Sequence, residues 1–515
     1  MDHLPKVLII ELGSQYTLLI ERTLRELGVR SVILDPRRAQ NFLKGNHVKA
    51  IILSGGSASV YDNDAPQPPE EVLTAQDESG RMAAILGICY GMQWLAHRFG
   101  GEVKPVEGQR EFGKAFIGLE DWWHSGLFER TPREQAVWMS HGDSVTQVPE
   151  GFRIIASTYT GGCAVAAMQK EHILGVQFHP EVTHTPYGKQ MLENFLNAAG
   201  CEKDWTPSSI VTSIQEEIGS QLEGERAIFG FSGGVDSTTV SAILSPILGD
   251  RLRAITIDGG HLREGELDEI GAHANAAGVD LHVIDARSEF NAVMADTIDA
   301  EEKRRRFKQV YTSLFVWAAE DFGATTVLQG TLATDRIESG ATGGALIKSH
   351  HNVGLDMGKL KQLHPVAHLF KYEIRALSQE MGLPESVWAR QPFPGPGLFI
   401  RIVGTPATPE KLELVRFADA RVREILLRHG IYNQLSQLVV AYLGTKTVGV
   451  KGDARVYGGA VVVRAVQTLD FMTAHGVHFS DEVEGEISAA LTKHPEIVRV
   501  WFDPTKKPPA TTEME

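Results

Sequence analysis

Short apolar runs bounded by glycine and polar residues alternate with helical patterns over residues 1–200. Continuous runs of roughly four to eight apolar residues are typical of strands buried on both faces. A helix is predicted over residues 14–28, ending at Gly28. The predicted strands are KVLIIELG (6–13), SVILD (31–35), AIILSGG (50–56), AAILGI (83–88) and ILGVQF (173–178). This alternation predicts a parallel sheet with helices on both faces.

A polar stretch near residue 200, AAGCEKDWTPSS, ends this series and is typical of a linker. A second strand–helix series follows, which again predicts a parallel α/β sheet. Its strands are AIFGF (227–231), RAITID (253–258), DLHVID (280–285) and TTVLQG (325–330). The glycine-rich stretch 339–354 interrupts this series and is predicted to be a mobile lid.

A second boundary lies at PFPGPGL (392–398), because three prolines and two glycines in seven residues stop a helix or a central strand. A long helix over about 408–430 and further strands follow it, at TKTVGV (445–450), AVVVRAV (460–466) and VRVWF (498–502). The predicted fold class is therefore α/β. Two doubly wound parallel-sheet domains, 1–200 and 201–395, precede a smaller α+β C-terminal domain, 396–515.

Composition narrows the classes of protein that remain. A chain of 515 residues is long enough for two to four domains, and its formal net charge of -15 argues against a broad nucleic-acid surface. Three cysteines, Cys89, Cys163 and Cys201, form no disulfide framework and indicate a reducing compartment. The N-terminus is a poor signal peptide, and no apolar run approaches the roughly 20 residues of a membrane helix. We therefore expect a cytoplasmic protein with small-molecule substrates.

The sharpest pattern in the first domain is LGICYGMQ (86–93), where a predicted strand ends at Cys89 and a helix follows. This arrangement is a nucleophile elbow, which raises a side chain above the sheet beside a helix N-terminus. The helix dipole there favours a thiolate. Gly87 and Gly91 leave room for a tight turn. A buried structural cysteine fits the motif equally well.

The segment GVQFHPE (175–181) supplies partners for a cysteine nucleophile. His179 and Glu181 are two residues apart at a predicted strand end, so their side chains point to the same side. A carboxylate placed in this way orients a histidine base and fixes its tautomer. For His179 alone, a surface His-Pro turn is the better interpretation. With Cys89 upstream, the pattern favours a triad.

The loop FSGGVDSTTV (231–240) lies between a predicted strand and a predicted helix. It lacks the Gly-Lys-Ser/Thr ending of a Walker A loop, and SGGVDS resembles the signature of the N-type ATP pyrophosphatases, or PP-loop enzymes. Backbone N–H groups at such a helix N-terminus bind phosphate. A serine-capped helix is the alternative. The predicted ATP-binding residues are Ser232, Gly233, Gly234, Val235, Asp236 and Ser237, and Asp236 indicates Mg²⁺ bound with the ATP.

The strings ELGSQYT, LSGG, GICYGMQ, REFGKA, SHGD and VQFHPEVTHT resemble, in that order, the class I glutamine amidotransferases and, more closely, the GMP synthetase family. The resemblance implies that Cys89 attacks the glutamine amide and forms a γ-glutamyl thioester. It implies that His179 moves the proton and Glu181 orients His179. It further implies an oxyanion hole made by the N–H groups of Gly56 and Tyr90. The glutamine-binding turn would be Ser140, His141, Gly142 and Asp143.

The second half resembles the same family at IDGGHLREGE, EEKRRRF, PFPGPGL, VGVKGDARVY and KKPPATTEME. This resemblance implies that ammonia attacks adenylated XMP, and that the C-terminal domain forms a homodimer. Implied lid residues are Asp335, Glu338 and Lys348, with Lys371 near the phosphates. Implied XMP-binding residues are Arg304, Asp453, Lys507, Thr511, Thr512 and Glu513.

Several positions depart from the family pattern, among them Ser57, Gln391, His364 and Met514. Most of these positions surround the lid and the acceptor pocket, so they bear on acceptor affinity more than on reaction class. There are two alternatives. One is an amidotransferase that acts on another adenylated acceptor, and the other is a divergent, non-enzymatic protein that serves as a binding or regulatory module. No metal site is predicted, because the adjacent His350 and His351 lack ligand spacing and a third partner.

Overall fold

The computed structural model describes residues 5–105, 111–120, 126–158, 165–332, 358–468 and 473–515. The chain forms two compact units, Met1–Ile210 and Val211–Glu515. Asp335, Glu338 and Lys348 of the predicted lid, and His350 and His351, lie outside the described residues. In the described part of the chain, no helix is long and apolar enough to cross a membrane.

The first unit is built on a mixed nine-stranded sheet. The described strands of the unit, which include two outside this sheet, are β1 Val7–Ile10, β2 Ser31–Leu34, β3 Ala50–Leu53, β4 Ala84–Ile88, β5 Glu102–Pro105, β6 Glu111–Leu119, β7 Glu134–His141, β8 Asp143–Gln147, β9 Arg153–Thr158, β10 Ala167–Lys170 and β11 Ile173–Val176. The sheet order is β2-β1-β3-β4-β11-β10-β9-β6-β7, and β5 pairs separately with β8. The first five strands in this order, β2, β1, β3, β4 and β11, run parallel. The remaining four continue the sheet in antiparallel fashion.

Burial on both faces explains the continuous apolar runs of the parallel strands. Every residue of β1 and β3 is buried. Successive residues pack into two different cores, with Ile9 and Ile52 on one face and Leu8 and Ile51 on the other. The helices of this unit are α1 Thr17–Glu26, α2 Pro36–Leu43, α3 Tyr90–Arg98 and α4 Gly188–Ala198. The parallel half is therefore a sheet covered on both sides.

The second unit contains a wholly parallel five-stranded sheet. Its strands are β12 Ala227–Gly230, β13 Leu252–Asp258, β14 Asp280–Asp285, β15 Thr326–Leu328 and β16 Lys361–Leu363. In the order β14-β13-β12-β15-β16, later strands of the chain are added first on one side of β12 and then on the other. Ligands bind at such switch points in open α/β sheets. The helices from here to residue 388 are α5 Pro207–Gln221, α6 Val235–Leu248, α7 Glu266–Ala276, α8 Arg287–Met294, α9 Ala300–Phe322, α10 Lys371–Glu380 and α11 Glu385–Trp388.

A second sheet in this unit is dominated by a long hairpin that turns at Gly452 and Asp453. Its strands are β17 Ile402–Val403, β18 Gln437–Lys451, β19 Ala454–Gln467, β20 His475–Gly476 and β21 Ile497–Phe502. Two helices, α12 Pro409–Arg428 and α13 Asp481–Leu491, pack with it around one apolar core. This α+β arrangement follows the PFPGPGL segment, as predicted.

The predicted fold class is confirmed, and each predicted strand overlaps an observed one. The first sheet is mixed rather than wholly parallel, because β6, β7, β9 and β10 form an antiparallel half that the sequence analysis did not predict. Burial alternates along β7, as expected for a strand with one exposed face. Its inward positions include the polar residues Gln135 and His141, so the sequence of β7 shows neither a wholly apolar strand nor a clean alternation.

Candidate active site

Cys89 lies at a sharp turn between β4 and α3. Its backbone has φ 51° and ψ −106°, a conformation that costs energy for any residue with a side chain. A Cβ on Gly87 would come 2.6 Å from the carbonyl carbon of Gly91, and one on Gly91 would come 2.5 Å from the carbonyl oxygen of Leu53. Both glycines are therefore required by close packing at the elbow, and the turn is held tightly.

His179 and Glu181 meet at this elbow. His179 Nδ1 lies 2.8 Å from Glu181 Oε1, and both side chains are buried. Because a carboxylate only accepts hydrogen bonds, Nδ1 carries the hydrogen and donates it. The Cys89 side chain lies close enough to His179 for its charge to act on the imidazole. A Cβ on Gly55 would lie 3.0 Å from His179 Cε1 and 3.5 Å from Cys89 Cβ, so glycine at this position allows the two side chains to approach.

The electrostatics of this centre favour a protonated histidine. Burial lowers the pKa of His179, but the interactions with Cys89 and Glu181, with their negative charges, outweigh it and raise the pKa to about 10. Burial lowers the pKa of the neighbouring His141 to about 4, although the Asp143 backbone and charge act in the opposite direction. The centre therefore pairs a cationic imidazole with the cysteine sulfur, which is the arrangement that activates a thiol nucleophile.

Residues 140–143, the predicted glutamine-binding turn, lie beside the cysteine. Cys89 Sγ is 3.6 Å from the carbonyl oxygen of Ser140. The Asp143 carboxylate accepts a hydrogen bond of 2.6 Å from Ser59, and its carbonyl accepts one of 2.7 Å from Gln93 Nε2. These bonds connect the predicted glutamine-binding turn to the loop after β3 and to α3.

Gly56 and Tyr90, the predicted oxyanion donors, are neighbours next to Cys89. Tyr90 is the first residue of α3, so its N–H belongs to the unpaired N-terminal turn of that helix. A Cβ on Gly56 would lie 3.4 Å from the Tyr90 ring and 2.4 Å from the carbonyl oxygen of Leu12. Only glycine fits there, and it packs against Tyr90, the residue that follows Cys89.

The SGGVDS loop connects β12 to α6. Ser232 Oγ lies 3.2 Å from Ser237 Oγ and accepts a hydrogen bond of 3.3 Å from the N–H of Gly234. Lys371 Nζ donates to both carboxylate oxygens of Asp236, at 2.8 and 2.7 Å. The loop thus presents amides and hydroxyls at a helix N-terminus, with a lysine and a carboxylate beside them. This arrangement can hold phosphate groups.

Buried cations hold the C-terminal tail in place. Arg401 donates to the Glu513 carboxylate at 3.1 Å, and Gln437 Nε2 donates to the same group at 2.7 Å. Arg464 donates to the carbonyl oxygens of Thr511 and Thr512, at 2.9 and 3.2 Å. Arg401 and Arg464 are at most 1% exposed. The tail is therefore ordered, in contrast to the frayed end that its composition alone would indicate.

The comparisons with known proteins cover this whole arrangement. Residues 8–199 match the family of class I glutamine amidotransferases, and residues 424–514 match the C-terminal domain of GMP synthases. A glutamine-hydrolysing GMP synthase of Thermus thermophilus is 42% identical over 99% of this chain and 100% of its own. The enzymes of that name from Thermobifida fusca and Pyrobaculum aerophilum are 42% and 41% identical, covering 99% of this chain and 98% and 99% of their own. The chain belongs to the glutamine-hydrolysing GMP synthase family.

The predicted acceptor residues of this GMP synthase family member lie on three parts of the second unit: α9, the hairpin tip and the C-terminal tail. Thr511 and Glu513 lie together in the anchored tail. Arg304 is on α9, where it pairs with Glu301, and Lys507 forms a backbone bridge with Ala474. Asp453 is exposed at the hairpin tip, about 50 Å of strand away from Gln437 at about 3.3 Å per residue. The role predicted for Asp453 stays a prediction.

Two departures from the family pattern have clear structural partners. Gln391 replaces a histidine, and its amide accepts a hydrogen bond of 2.9 Å from the N–H of Leu438 and donates one of 3.1 Å to the carbonyl of Tyr432. His364 Nδ1 lies 3.1 Å from Thr331 Oγ1. Gln391 therefore connects the PFPGPGL segment to β18 of the C-terminal sheet.

Sequence reasoning missed three residues around the glutaminase centre. Gly55 makes room for the His179–Cys89 approach, and Gln177 Nε2 lies 3.7 Å from Cys89 Sγ. The Thr185 hydroxyl donates to the His179 carbonyl at 2.7 Å and accepts from the N–H of Trp138 at 3.0 Å. Gln177 was open to prediction, because it lies two residues before His179 at the end of the predicted strand 173–178, where alternate residues face the same side. Nothing in the sequence indicates the Thr185 bridge.

Proposed function

We propose that this chain makes GMP by a two-centre ligase reaction, in which XMP, ATP, glutamine and water give GMP, AMP, pyrophosphate and glutamate. One observation carries the proposal. A chain that is 42% identical to a GMP synthase over 99% of its length holds both the Cys89–His179–Glu181 centre and an SGGVDS loop. A glutaminase centre alone would release ammonia with no acceptor, and an ATP loop alone would lack a nitrogen source.

The first centre releases ammonia. Cys89 Sγ bonds to the side-chain carbonyl carbon of glutamine, and protonated His179 gives its Nε2 proton to the leaving nitrogen. The N–H groups of Gly56 and Tyr90 stabilise the oxyanion, where losing one donor costs on the order of 10²–10³ in rate. Water then attacks the thioester while His179 takes its proton, which releases glutamate. Glu181 holds the opposite ring nitrogen throughout.

The second centre activates the acceptor. The O2 oxygen of XMP bonds to the α-phosphorus of ATP, and pyrophosphate leaves to give adenyl-XMP. Ammonia then attacks C2 and loses a proton, and AMP departs with the oxygen. Lys371 lies beside the loop, where its charge favours the leaving pyrophosphate. Ammonia has to reach this centre unprotonated, because ammonium is not a nucleophile.

Asp236 fits a magnesium ion bound with ATP. A carboxylate beside a phosphate-binding loop is the usual protein ligand for Mg²⁺ held mainly by phosphate oxygens and water. The ion would neutralise phosphate charge during adenylation. In the protein itself, Lys371 provides the positive charge that Asp236 faces, so the carboxylate is already paired with a cation at this position.

The tail and α9 are the proposed acceptor site. Thr511, Thr512 and Glu513 are held by buried arginines, so their backbone and carboxylate positions are fixed before XMP binds. Arg304 and Lys507 would supply positive charge for the XMP phosphate. The anchored tail supports this proposal because an ordered chain end can recognise a purine without a large entropy cost.

The quaternary state and location are further parts of the proposal. Val448 and Tyr457 face each other on the hairpin, and with Val450 they expose an apolar strand surface of the kind that marks protein interfaces. We infer that this surface forms a homodimer. Val450→Glu should then shift sedimentation from dimer to monomer. Free thiols at Cys89 and Cys201 suit a reducing, cytoplasmic compartment.

The decisive test is a product assay with XMP, ATP and Mg²⁺, and with glutamine or ammonium as the nitrogen source. We expect AMP, pyrophosphate and GMP in equal amounts with either source. Production of ADP in place of AMP would contradict adenylation. Amination of another adenylated acceptor, such as an NAD precursor, with XMP left untouched would contradict the choice of substrate.

A further inference from the structure

Two side chains hold the SGGVDS loop by its carbonyl groups. His273 Nδ1 on α7 lies 2.8 Å from the carbonyl oxygen of Gly233. Arg390 Nη1, which follows α11, donates to the carbonyl oxygen of Ser232 at 3.1 Å. Neither residue has a part in the reaction proposed above, and nothing in the motif itself indicates them. The two contacts occupy successive peptide groups of the loop.

Both side chains are themselves held by neighbouring helices. His273 Nε2 lies 3.1 Å from Ser386 Oγ on α11, and Arg390 pairs with Glu266 at the start of α7. Because the Gly233 carbonyl only accepts, His273 carries its hydrogen on Nδ1 and accepts from the Ser386 hydroxyl at Nε2. Burial lowers the pKa of His273, which keeps the ring neutral and this tautomer fixed. His273 and Glu266 are buried, at 4% and 3% exposed, whereas Arg390 is half-buried and Ser386 is exposed.

The loop is also pressed against the helix that carries His273. Gly233 has φ +65°, and a Cβ there would lie 3.1 Å from the Cα of Ile270 on α7. A left-handed backbone with no room for a side chain requires glycine. The loop therefore rests on α7 both through this close approach and through the His273 hydrogen bond one turn further along the helix.

Fixing these two carbonyls also fixes the direction of two N–H groups. In a trans peptide, the C=O of one residue and the N–H of the next point to opposite sides. Because Arg390 holds the Ser232 carbonyl, the N–H of Gly233 points away from Arg390. Because His273 holds the Gly233 carbonyl, the N–H of Gly234 points away from His273. The N–H of Gly234 lies 3.3 Å from Ser232 Oγ, on the side where Ser232 and Ser237 meet.

We propose that His273 is a positioning residue for ATP. It acts through the Gly233 carbonyl, with Ser386 as its orienting partner, and aims the Gly234 amide at the phosphate. Arg390 has the same effect on the Gly233 amide through Ser232. This inference rests on the proposed function, because it takes the loop as the ATP site.

The test compares His273→Phe, His273→Asn and Ser386→Ala in ammonia-dependent synthesis on the full chain. His273→Phe keeps the ring volume but loses both hydrogen bonds, and we expect the KM for ATP to rise about tenfold. His273→Asn places an amide near Nδ1 and should recover most of that loss. Ser386→Ala leaves the ring in place and should raise the KM for ATP about threefold. The KM for XMP should stay unchanged in all three.

Ser245→Ala is the matched control. Ser245 Oγ on α6 donates to the Ala277 carbonyl at the end of α7 at 2.8 Å, so this variant removes a hydrogen bond between α6 and α7 away from the loop. It should lower the melting temperature and leave the KM for ATP as in wild type. A merely structural role for His273 would give the same pattern as this control.

The outcomes separate the inference from the proposed function. A wild-type KM for ATP in both His273→Phe and Ser386→Ala, with active wild-type enzyme, overturns the positioning role alone. Equal rises in the KM for ATP and for XMP also overturn it. If unmodified enzyme forms no AMP from ATP and XMP, the proposed function fails first and the inference fails with it. Should His273→Phe not fold, the Ser386→Ala result decides.

Discussion

The two chemical centres differ in what their polar groups are bonded to. In the first unit, His179 bonds to Glu181 and interacts with Cys89, so the groups proposed to react hold one another. In the second, Asp236 pairs with Lys371 and Glu513 pairs with Arg401, and ligands bound as proposed would compete for these partners. The glutaminase centre thus holds its own groups in place, whereas the phosphate loop lies beside a charge pair that ATP would have to rearrange.

This difference predicts different kinetic effects of substitution. Changes in the preorganised first centre remove groups that act in the transition state, so they should lower kcat. Changes around the second centre alter how well a ligand competes with a protein carboxylate for the same cation, so they should act mainly on KM. Variants that keep some activity should therefore differ in two ways: in the size of the loss, and in whether kcat or KM carries it.

Cys89→Ala is the largest test of the comparison. Removing the nucleophile of a catalytic triad costs on the order of 10⁴–10⁶ in kcat, so glutamine-dependent GMP formation should be lost. Ammonia-dependent synthesis should remain, because the second centre does not contain Cys89. The control is Cys201→Ala in the same unit, where burial raises the pKa of the thiol to about 12 and makes it unreactive. Loss of both activities in Cys89→Ala would mean that Cys89 is structural.

Lys371→Met tests the second centre directly. It removes the cation that pairs with Asp236 beside the loop, and we expect kcat/KM for ATP to fall about 100-fold with either nitrogen source. Most of the loss should appear in the KM for ATP. Lys361→Met is the control, since Lys361 is exposed and bonds to the Gln221 carbonyl. An unchanged KM for ATP in Lys371→Met would remove this lysine from the phosphate site.

Glu181→Gln should give a smaller, pH-dependent loss of glutaminase activity. The carboxylate helps to raise the pKa of His179 to about 10, so the amide should lower that pKa and move the alkaline limb of kcat/KM for glutamine to lower pH. We expect a loss of about 10–100-fold at pH 8. An alkaline limb that does not move would show that Glu181 only fills space.

The same variant has a stability signature with a defined sign. The folded-state pKa of His179, about 10, lies above its ordinary value of 6.5. His179 therefore contributes stability that is fully present below pH 6.5 and is lost as the pH rises through 10. Glu181→Gln should flatten the fall in melting temperature between pH 7 and 10. A slope equal to wild type would contradict the raised pKa.

How far the sequence predicts the fold depends on how each strand is buried. Strands such as β1 and β3 are covered on both faces, and their uninterrupted apolar residues make them easy to predict. Strand β7 buries the polar residues Gln135 and His141 on the same face as Val137 and Met139, so its sequence does not alternate cleanly between apolar and polar positions. The antiparallel half of the first sheet could not be predicted for this reason.

The sites follow a similar rule based on distance along the chain. Cys89 was predictable because one short motif contains its strand, turn and helix, and His179 because strand alternation brings Glu181 to its side. Arg401 and Arg464 bind a tail that lies about 50–110 residues further along the chain. In the sequence these arginines are indistinguishable from solvated charges, because only the folded packing reveals their burial.

Glu513→Gln gives the smallest expected effect and tests whether the tail is part of the acceptor site. Arg401 would lose one carboxylate but keep Asp419 at 3.3 Å, so the fold should survive. We expect the KM for XMP to rise about tenfold with little change in the KM for ATP.

Glu486→Gln is the control for that variant, since it removes only surface ion pairs with Arg428 and His429, which contribute little to stability. If Glu513→Gln lowers the melting temperature and leaves the KM for XMP unchanged, the buried arginines serve the fold alone. If the KM for XMP rises while stability holds, the same arginines present the tail to substrate. In that case the acceptor site of the second centre, like the glutaminase centre, is fixed before its substrate binds. The two centres would then differ only at the phosphate loop.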